Sequence, residues 1–303
     1  MLQTRLVMGA LMIALAAAAL VIGPAPWYPG LLLLVLGLGL AATRELLQML
    51  GPERRPWPAL AYASVALLLL ANWPPHLLAS PHGAGRAVAI FPSNTWPHDV
   101  RGWTPAHWQF AAFTLVIVAA FLAEMASFRS PGRATERIGL LLLVASYLGW
   151  LPGFLVQLRW LDDGSGSARS AGAWALALAV FVPKAGDIGA YLTGRFLGRH
   201  LMTPVLSPKK TWEGAIGGLA GAVVVAVGLG QARPQLFDHG IWSMIGFGLA
   251  LGLAGIFGDL AESLLKRDCQ IKDSSHTVPG FGGILDVIDA ILFAGPVAYA
   301  WLH

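Results

Sequence analysis

The chain has 303 residues, of which 56% are hydrophobic and only 12% charged, and its mean hydropathy is +0.65. A soluble domain carries about 25% charged residues, so this composition specifies a polytopic membrane protein and excludes an ordinary water-soluble globule. The net charge of +4 rests on few ionisable groups, with no basic run of the kind that binds nucleic acid, and the single cysteine, Cys269, excludes an internal disulfide.

Apolar stretches of about 17–25 residues are long enough to cross a bilayer. Nine are predicted, which gives an all-α bundle of about nine transmembrane helices: roughly Leu6–Ile22, Leu31–Leu50, Ala59–Leu78, Gln109–Met125, Ile138–Val156, Ala173–Leu192, Gly214–Gly230, Trp242–Phe257 and Ile284–Leu302. The first follows Arg5 and stops near Gly23-Pro24-Ala25-Pro26, and is expected to be an uncleaved anchor rather than a signal peptide. The third is interrupted by Asn72, Trp73, Pro74 and Pro75. The long connection from Trp73 to Trp108 is rich in Pro, His, Trp and Gly, and its Trp73, Trp96, Trp103 and Trp108 are expected to sit at headgroup level as an aromatic belt.

Nine crossings put Arg5, Arg54, Arg55, Arg129, Arg133, Arg137, Arg195, Arg199, Lys209, Lys210, Lys266, Arg267 and Lys272 on one side. They put only Arg86, Arg101, Arg159, Arg169 and Arg233 on the other. Positive residues prefer the cytoplasmic side. The N-terminus and the two charged connections, Arg195–Glu213 and Asp259–Gly283, are therefore expected in the cytoplasm, and the C-terminus on the opposite side. Glu45 and Glu124 interrupt apolar helices near cytoplasmic ends and read as helix-end residues, with Glu45 at the rim of any site there; Arg44 is expected to snorkel.

Two constellations carry chemistry. In the first, Lys184 and Asp187 lie three apart in an apolar span and read as a self-neutralising pair, while Gly186, Gly189, Gly194 and Gly198 suit close helix packing. Gly214, Gly218, Gly221, Gly248 and Gly252 read in the same way. Ser207-Pro208-Lys209-Lys210-Thr211 follows, read as a helix start with Pro208 at the first helical position, whose free amides beside two lysines make an anion site.

The second constellation runs from Asp259 to Asp289 and holds Asp259, Glu262, Lys266, Arg267, Asp268, Lys272, Asp273, Asp286 and Asp289. A carboxylate at the bilayer centre costs roughly 2.5–3.5 kcal/mol on insertion scales, so stability alone does not account for such a cluster. Asp286 and Asp289 are three apart on one helical face, where two carboxylates repel unless a cation intervenes, and oxygen ligands suit a hard ion such as Mg²⁺. Lys266, Arg267 and Lys272 are placed beside them in a water-exposed loop. Metal-holding carboxylates beside fixed cations suit phosphoryl or nucleotidyl transfer.

Ser263, Lys266, Arg267, Lys272, Asp273, Pro279, Gly282, Gly283, Asp286 and Asp289 resemble, in order and spacing, the C-terminal signature of phosphatidate cytidylyltransferases, the CDP-diacylglycerol synthases. The segment Asp187-Ile188-Gly189-Ala190-Tyr191 and the turn from Ser207 to Gly214 are similar to that family's second recurring block. Two positions depart: Phe281 stands where the family usually has a histidine, and Val287 where it usually has an arginine.

The resemblance implies transfer of CMP from CTP to phosphatidate within the bilayer, in phospholipid biosynthesis. It implies that Asp259, Lys266, Arg267, Asp286 and Asp289 are catalytic, with Asp259, Asp286 and Asp289 holding one or two Mg²⁺ ions. Asp187, Ser207, Lys209, Lys210, Thr211, Ser263, Lys272, Asp273, Gly282 and Gly283 are then expected to bind substrate. Residues 1–136 read as an N-terminal group of membrane helices and 137–303 as the catalytic transmembrane region. The expected location is a cell (inner) membrane, with membrane lipids as neighbours and a homodimer left open. Two alternatives stand beside this reading: a cytidylyltransferase acting on another lipid phosphate, and a catalytically degenerate lipid-binding relative.

Overall fold

The computed structural model describes residues 27–78, 103–129, 131–162, 168–272, 274–275, 277–279 and 282–303. The expected first helix, Trp96, Asp273 and Phe281 lie outside the described residues.

Three helices open with proline in their first turn, where a missing N–H leaves nothing unpaired: α1 (Pro29–Met49), α2 (Pro58–Leu70) and α3 (Pro105–Ser127). Helix α4 runs from Ala134 to Trp160 and contains a π-helical stretch, Ser146–Trp150, just before Pro152. Proline cannot donate to the carbonyl four residues back, and the wider turn absorbs that break. Helix α5 (Ala168–Leu197) is followed by a two-stranded antiparallel hairpin, β1 (Leu201–Thr203) and β2 (Ser207–Thr211). Then come α6 (Trp212–Gln231), α7 (Ile241–Asp268) and α8 (Ile284–Leu302).

Among the described residues, seven helices, α1 and α3 to α8, are long and apolar enough to cross a membrane. The expected third span is a 13-residue helix, α2, that ends at Leu70, just before Asn72 and Trp73, and restarts as Pro74–Leu78. Large apolar side chains on the outside, including Phe110, Leu115 and Phe121 of α3 and Trp242 and Phe257 of α7, are exposed as a lipid-facing surface requires.

Helix α8 lies at the centre. On one side its Leu285 and Leu292 pack with Leu46 of α1, Leu69 of α2, Ala120 of α3 and Val144 of α4. On the other its Ala294 and Ala298 join Leu178 of α5, Ala222 of α6 and Leu251 of α7. Small residues set the spacing of the second group, as expected: a Cβ at Gly189 of α5 would meet the Gly217 carbonyl of α6 at 2.6 Å, and one at Gly248 of α7 would meet Val223 Cα of α6 at 2.7 Å.

Three expectations are corrected. Helix α7 does not stop at Phe257 but continues through Asp268, so Asp259, Glu262, Ser263, Lys266 and Arg267 lie on its last turns rather than in a loop. Positions 259, 262, 263 and 266 share one helical face, and that face turns inward towards α8. Ser207 and Pro208 do not start a helix; they lie in β2, and α6 starts at Trp212 with Thr211 as its N-cap, whose hydroxyl accepts the Gly214 amide at 3.1 Å. Trp73 does not point outward as a belt residue would. It is buried, donates its indole N–H to the Trp27 carbonyl at 2.7 Å and packs edge-on against Trp160.

Candidate functional site

The charged residues converge at one end of the bundle, where α5 ends, the hairpin turns back, α7 ends and α8 begins. A backbone approach makes this possible. A Cβ at Gly258 of α7 would collide with the Asp289 carbonyl of α8, so only glycine lets the two helices touch beside Asp259. Asp259, Glu262 and Asp289 then offer carboxylate oxygens that all lie within 4.8 Å of one another. Glu262 and Asp289 are buried.

Each of these carboxylates faces one lysine, and each lysine comes from a different element. Lys210 of β2 is 2.7 Å from Asp259, close but without an aligned hydrogen bond. Lys266 of α7 is 2.9 Å from Glu262, and Lys184 of α5 is 3.6 Å from Asp289. Two further carboxylates share these ammonium groups: Asp187 lies 3.0 Å from Lys184, and Asp286 lies 2.8 Å from Lys266. Counted as ionised, five carboxylates against three lysines leave two negative charges. Glu262 Oε1 is buried with no hydrogen-bond partner. A compact all-oxygen donor set, an unused buried acceptor and a double negative surplus fit a hard divalent cation.

Asp286 is held elsewhere than with that trio. Its Oδ1 accepts from Lys266, and its Oδ2 accepts from the Gly283 amide at 2.7 Å and from Ser274 Oγ at 2.9 Å. The structure therefore brings Asp259 and Asp289 together with Glu262, and sets Asp286 beside them at the mouth of α8. Gly282 adopts a positive φ of 101°, which glycine tolerates, and pairs with Val278 across a short bridge that turns the chain into α8.

A cavity of about 260 Å³ opens next to the carboxylates and is lined by Asp187, Tyr191, Lys209, Lys210, Thr211 and Asp259, among others. Ser207 is half-buried in the strand that carries both lysines. The hairpin is fixed at its base: Glu213 accepts the Arg199 and His200 amides and meets the His200 ring at 2.6 Å. Arg267 reaches the hairpin too, donating to the Leu206 carbonyl at 3.3 Å. Ser263 is buried on α7 and Lys272 is exposed beyond it. Val287 is half-buried on the second turn of α8.

A second, wholly apolar groove of about 690 Å³ runs along the outside of α7 and α8, lined by Leu206, Leu253, Phe257, Leu260, Leu264 and Phe293, among others. The polar cavity and this groove sit on two sides of the same helix, with Asp259 lining one and Leu260 the other.

Two acidic residues matter more than their positions in the sequence suggested. Glu124, at the end of α3, is buried and paired with Arg137 at 2.7 Å and with the Trp57 indole at 3.1 Å, so it ties α3 to α4 and to the start of α2. Glu45 of α1 is also buried, and it accepts backbone amides from α8. Its partners lie more than 200 residues away, so no local pattern announces them. Arg44 is exposed, as expected for a snorkelling side chain.

Among the described residues, seven membrane-length helices and a buried acidic cluster beside a basic hairpin define an integral membrane protein with a polar site set at one end of its bundle. This chain belongs to the cytidylyltransferase family, whose model matches residues 3–303. It is 31% identical over 323 aligned residues to a phosphatidate cytidylyltransferase of Synechocystis sp., covering 97% of this chain and 94% of the relative. It is 35% identical over 208 residues to phosphatidate cytidylyltransferase 4, chloroplastic, of Arabidopsis thaliana, covering 63% of this chain and 51% of that protein. It is also 40% identical over 132 residues to a phosphatidate cytidylyltransferase of Chlamydia trachomatis, covering 43% of each chain. The aligned region thus spans about half the length of the Arabidopsis relative, and nearly all of the Synechocystis one.

Proposed function

We propose that the protein is a phosphatidate cytidylyltransferase. Its lipid phosphate oxygen donor, phosphatidate, attacks the α-phosphorus of CTP, the bond from that phosphorus to the bridging oxygen breaks, and pyrophosphate leaves. The products are CDP-diacylglycerol and pyrophosphate. The observation that carries this reading is the trio Asp259, Glu262 and Asp289, gathered within 4.8 Å next to a cavity lined by Lys209 and Lys210.

The attacking phosphate is already an anion, so the site needs no strong base. It needs neutralisation of several phosphates and their alignment. Lys209 and Lys210 would hold CTP phosphates in the polar cavity, with Thr211 and Asp187 on its walls. Arg267 and Lys272, both exposed near the end of α7, would meet departing pyrophosphate at the solvent side. Lys266, clamped between Glu262 and Asp286, keeps those two carboxylates from repelling each other. The apolar groove beside Leu206 and Leu260 would take acyl chains from the bilayer, and a lipid so held would carry its headgroup towards Asp259.

Asp259, Glu262 and Asp289 would hold Mg²⁺, one ion or two. Bound there, the metal supplies positive charge against the phosphate oxygens. Asp286, already engaged by three donors, is assigned to fixing the start of α8 and to the second position if two ions bind. The thirteen-to-five distribution of basic residues supports a cytoplasmic site, where CTP is available.

The experiment is metal-dependent turnover of labelled CTP by purified protein, with phosphatidate against other lipid phosphates. CDP-diacylglycerol formed only with phosphatidate supports the reading. Product formed with a different lipid phosphate assigns the substrate elsewhere. No consumption of CTP with any lipid phosphate, restored by Phe281→His with Val287→Arg, identifies a degenerate relative and overturns it.

A further inference from the structure

Glu45 is a carboxylate from the first described helix that grips the start of the last. It is 3% exposed. Its Oε1 accepts the Ser275 hydroxyl at 2.6 Å and the Ile284 amide at 3.0 Å, and its Oε2 accepts the Leu285 amide at 2.9 Å. Ser274 Oγ lies 3.4 Å from the same Oε2 and closer, at 2.9 Å, to Asp286. Helix α8 begins with amides that have no partner inside the helix. Here the Gly283 amide is taken by Asp286, within α8's own first turn, and the next two are taken by Glu45 from across the bundle.

We propose that Glu45 is a positioning residue for the site: it fixes the height and rotation of α8, so that Asp286 and Asp289 stay in register with Asp259 and Glu262 on α7. Three observations carry this. A carboxylate is held at a helix N-terminus by backbone amides, where the helix dipole favours negative charge. Leu46 and Leu47, its neighbours on α1, are buried in the same core cluster as Leu285, so packing and hydrogen bonding fix the same contact. The passage is also closed to any larger residue, because a Cβ at Gly283 would collide with Ser274 Oγ and come within 2.5 Å of Glu45 Oε2. Every hydrogen bond that Glu45 accepts comes from α8 and its approach loop.

The test compares wild type with Glu45→Gln, Glu45→Ala and Ser275→Ala, and with Glu124→Gln as a control at another buried carboxylate. The inference rests on the proposed metal reading, so two measurements are made in parallel. The first is amide hydrogen exchange across 284–290. The second is kcat, KM for CTP and the Mg²⁺ activation midpoint. Glu45→Ala should speed exchange at the start of α8 at least tenfold, lower kcat at least tenfold and raise the Mg²⁺ midpoint, with KM for CTP within about twofold; tenfold corresponds to about 1.4 kcal/mol. Glu45→Gln, which keeps one acceptor oxygen, should fall between. Ser275→Ala, which removes one donor and leaves Glu45 in place, should show a roughly threefold effect in the same direction, and it decides the matter if the alanine at 45 fails to insert. Glu124→Gln should leave exchange at 284–290 unchanged. Wild-type exchange and kinetics in the Glu45 variants, or a lost kcat with unchanged exchange at 284–290, overturns the proposal. If wild type turns over CTP without a divalent metal, only the metal reading falls, and the exchange and kcat results still decide the role of Glu45.

Discussion

At the scale of single residues, the site is a matter of charge count. Asp289 is buried, and its lysine, Lys184, stands 3.6 Å away, against 2.7 Å for Asp259 and 2.9 Å for Glu262, so its charge is the least closely compensated of the trio. Asp289→Asn is expected to lower turnover at least a hundredfold while leaving the protein inserted, because the amide keeps the shape but loses the charge. Asp259→Asn is expected to be milder at saturating Mg²⁺, since Asp259 is half exposed and Lys210 would lose its partner at the same time. Steady-state kinetics over a Mg²⁺ titration checks both, and near-normal activity in Asp289→Asn would remove that residue from the proposed metal site. Sequence reasoning singled out Asp259, Asp286 and Asp289 because carboxylates in an apolar run stand out by their cost; the structure gathers Asp259 and Asp289 and sets Asp286 beside them. Sequence reasoning undervalued Glu262 because one more charge near Lys266 reads as an ordinary i,i+4 pair. Glu262 is in fact among the most buried side chains, and the signal was its place on the same helical face as Asp259 and Lys266.

At the scale of elements, one contact decides whether the carboxylates meet. Gly258 lets α7 and α8 touch at backbone level, and Gly255, three residues earlier, lies against Pro183 of α5. A side chain at 258 must push α8 away, and displacements of about 1 Å at a reacting centre cost roughly a hundredfold. Gly258→Leu is therefore expected to abolish activity, whereas Gly228→Leu on α6, where a Cβ meets nothing within 4 Å, is expected to be neutral. Equal activity in the two variants would show that the close α7–α8 approach is not needed. The helices themselves were legible from apolar length and from proline at their starts. The end of α7 was not, because a polar face in a membrane helix looks like a loop until something is known of what it turns towards. The hairpin was missed for a related reason: Ser-Pro before lysines fits a helix start, and only the pairing of Leu201 with Thr211 shows the strand.

At the scale of the whole molecule, the two halves are one body. Leu46, Val65 and Ala120 from the N-terminal helices share a core with Leu285 and Leu292. Ion pairs between Arg54 and Asp268 and between Arg54 and Glu136 lie at the end of the bundle that carries the site. Their side chains are exposed, so each is worth about 0–1 kcal/mol. Their value here is to show which helix ends lie together, and these are the ends that the basic-residue asymmetry assigns to the cytoplasm. In a Cys269→Ser background, His303→Cys is expected to react with a membrane-impermeant reagent from outside the cell and Ser207→Cys to be protected. The reverse pattern would invert the topology and place the site away from CTP. Cys269 itself is a poor reporter, because burial raises its thiol pKa above the ordinary range, Asp268 pushes the same way and only Arg54 opposes.

The grip of Glu45 on α8 also has a consequence for how the protein is made. Helix α1 leaves the ribosome some 240 residues before the amides that Glu45 binds. Throughout that interval the nascent chain carries an acidic group near the membrane with no permanent partner. The group must wait in the insertion machinery, at the water interface, or against a temporary neighbour. When α8 arrives, it satisfies that carboxylate and completes the acidic trio in the same step. On the proposed reading, assembly and activation are one event, because a chain arrested before α8 lacks both Asp286 and Asp289.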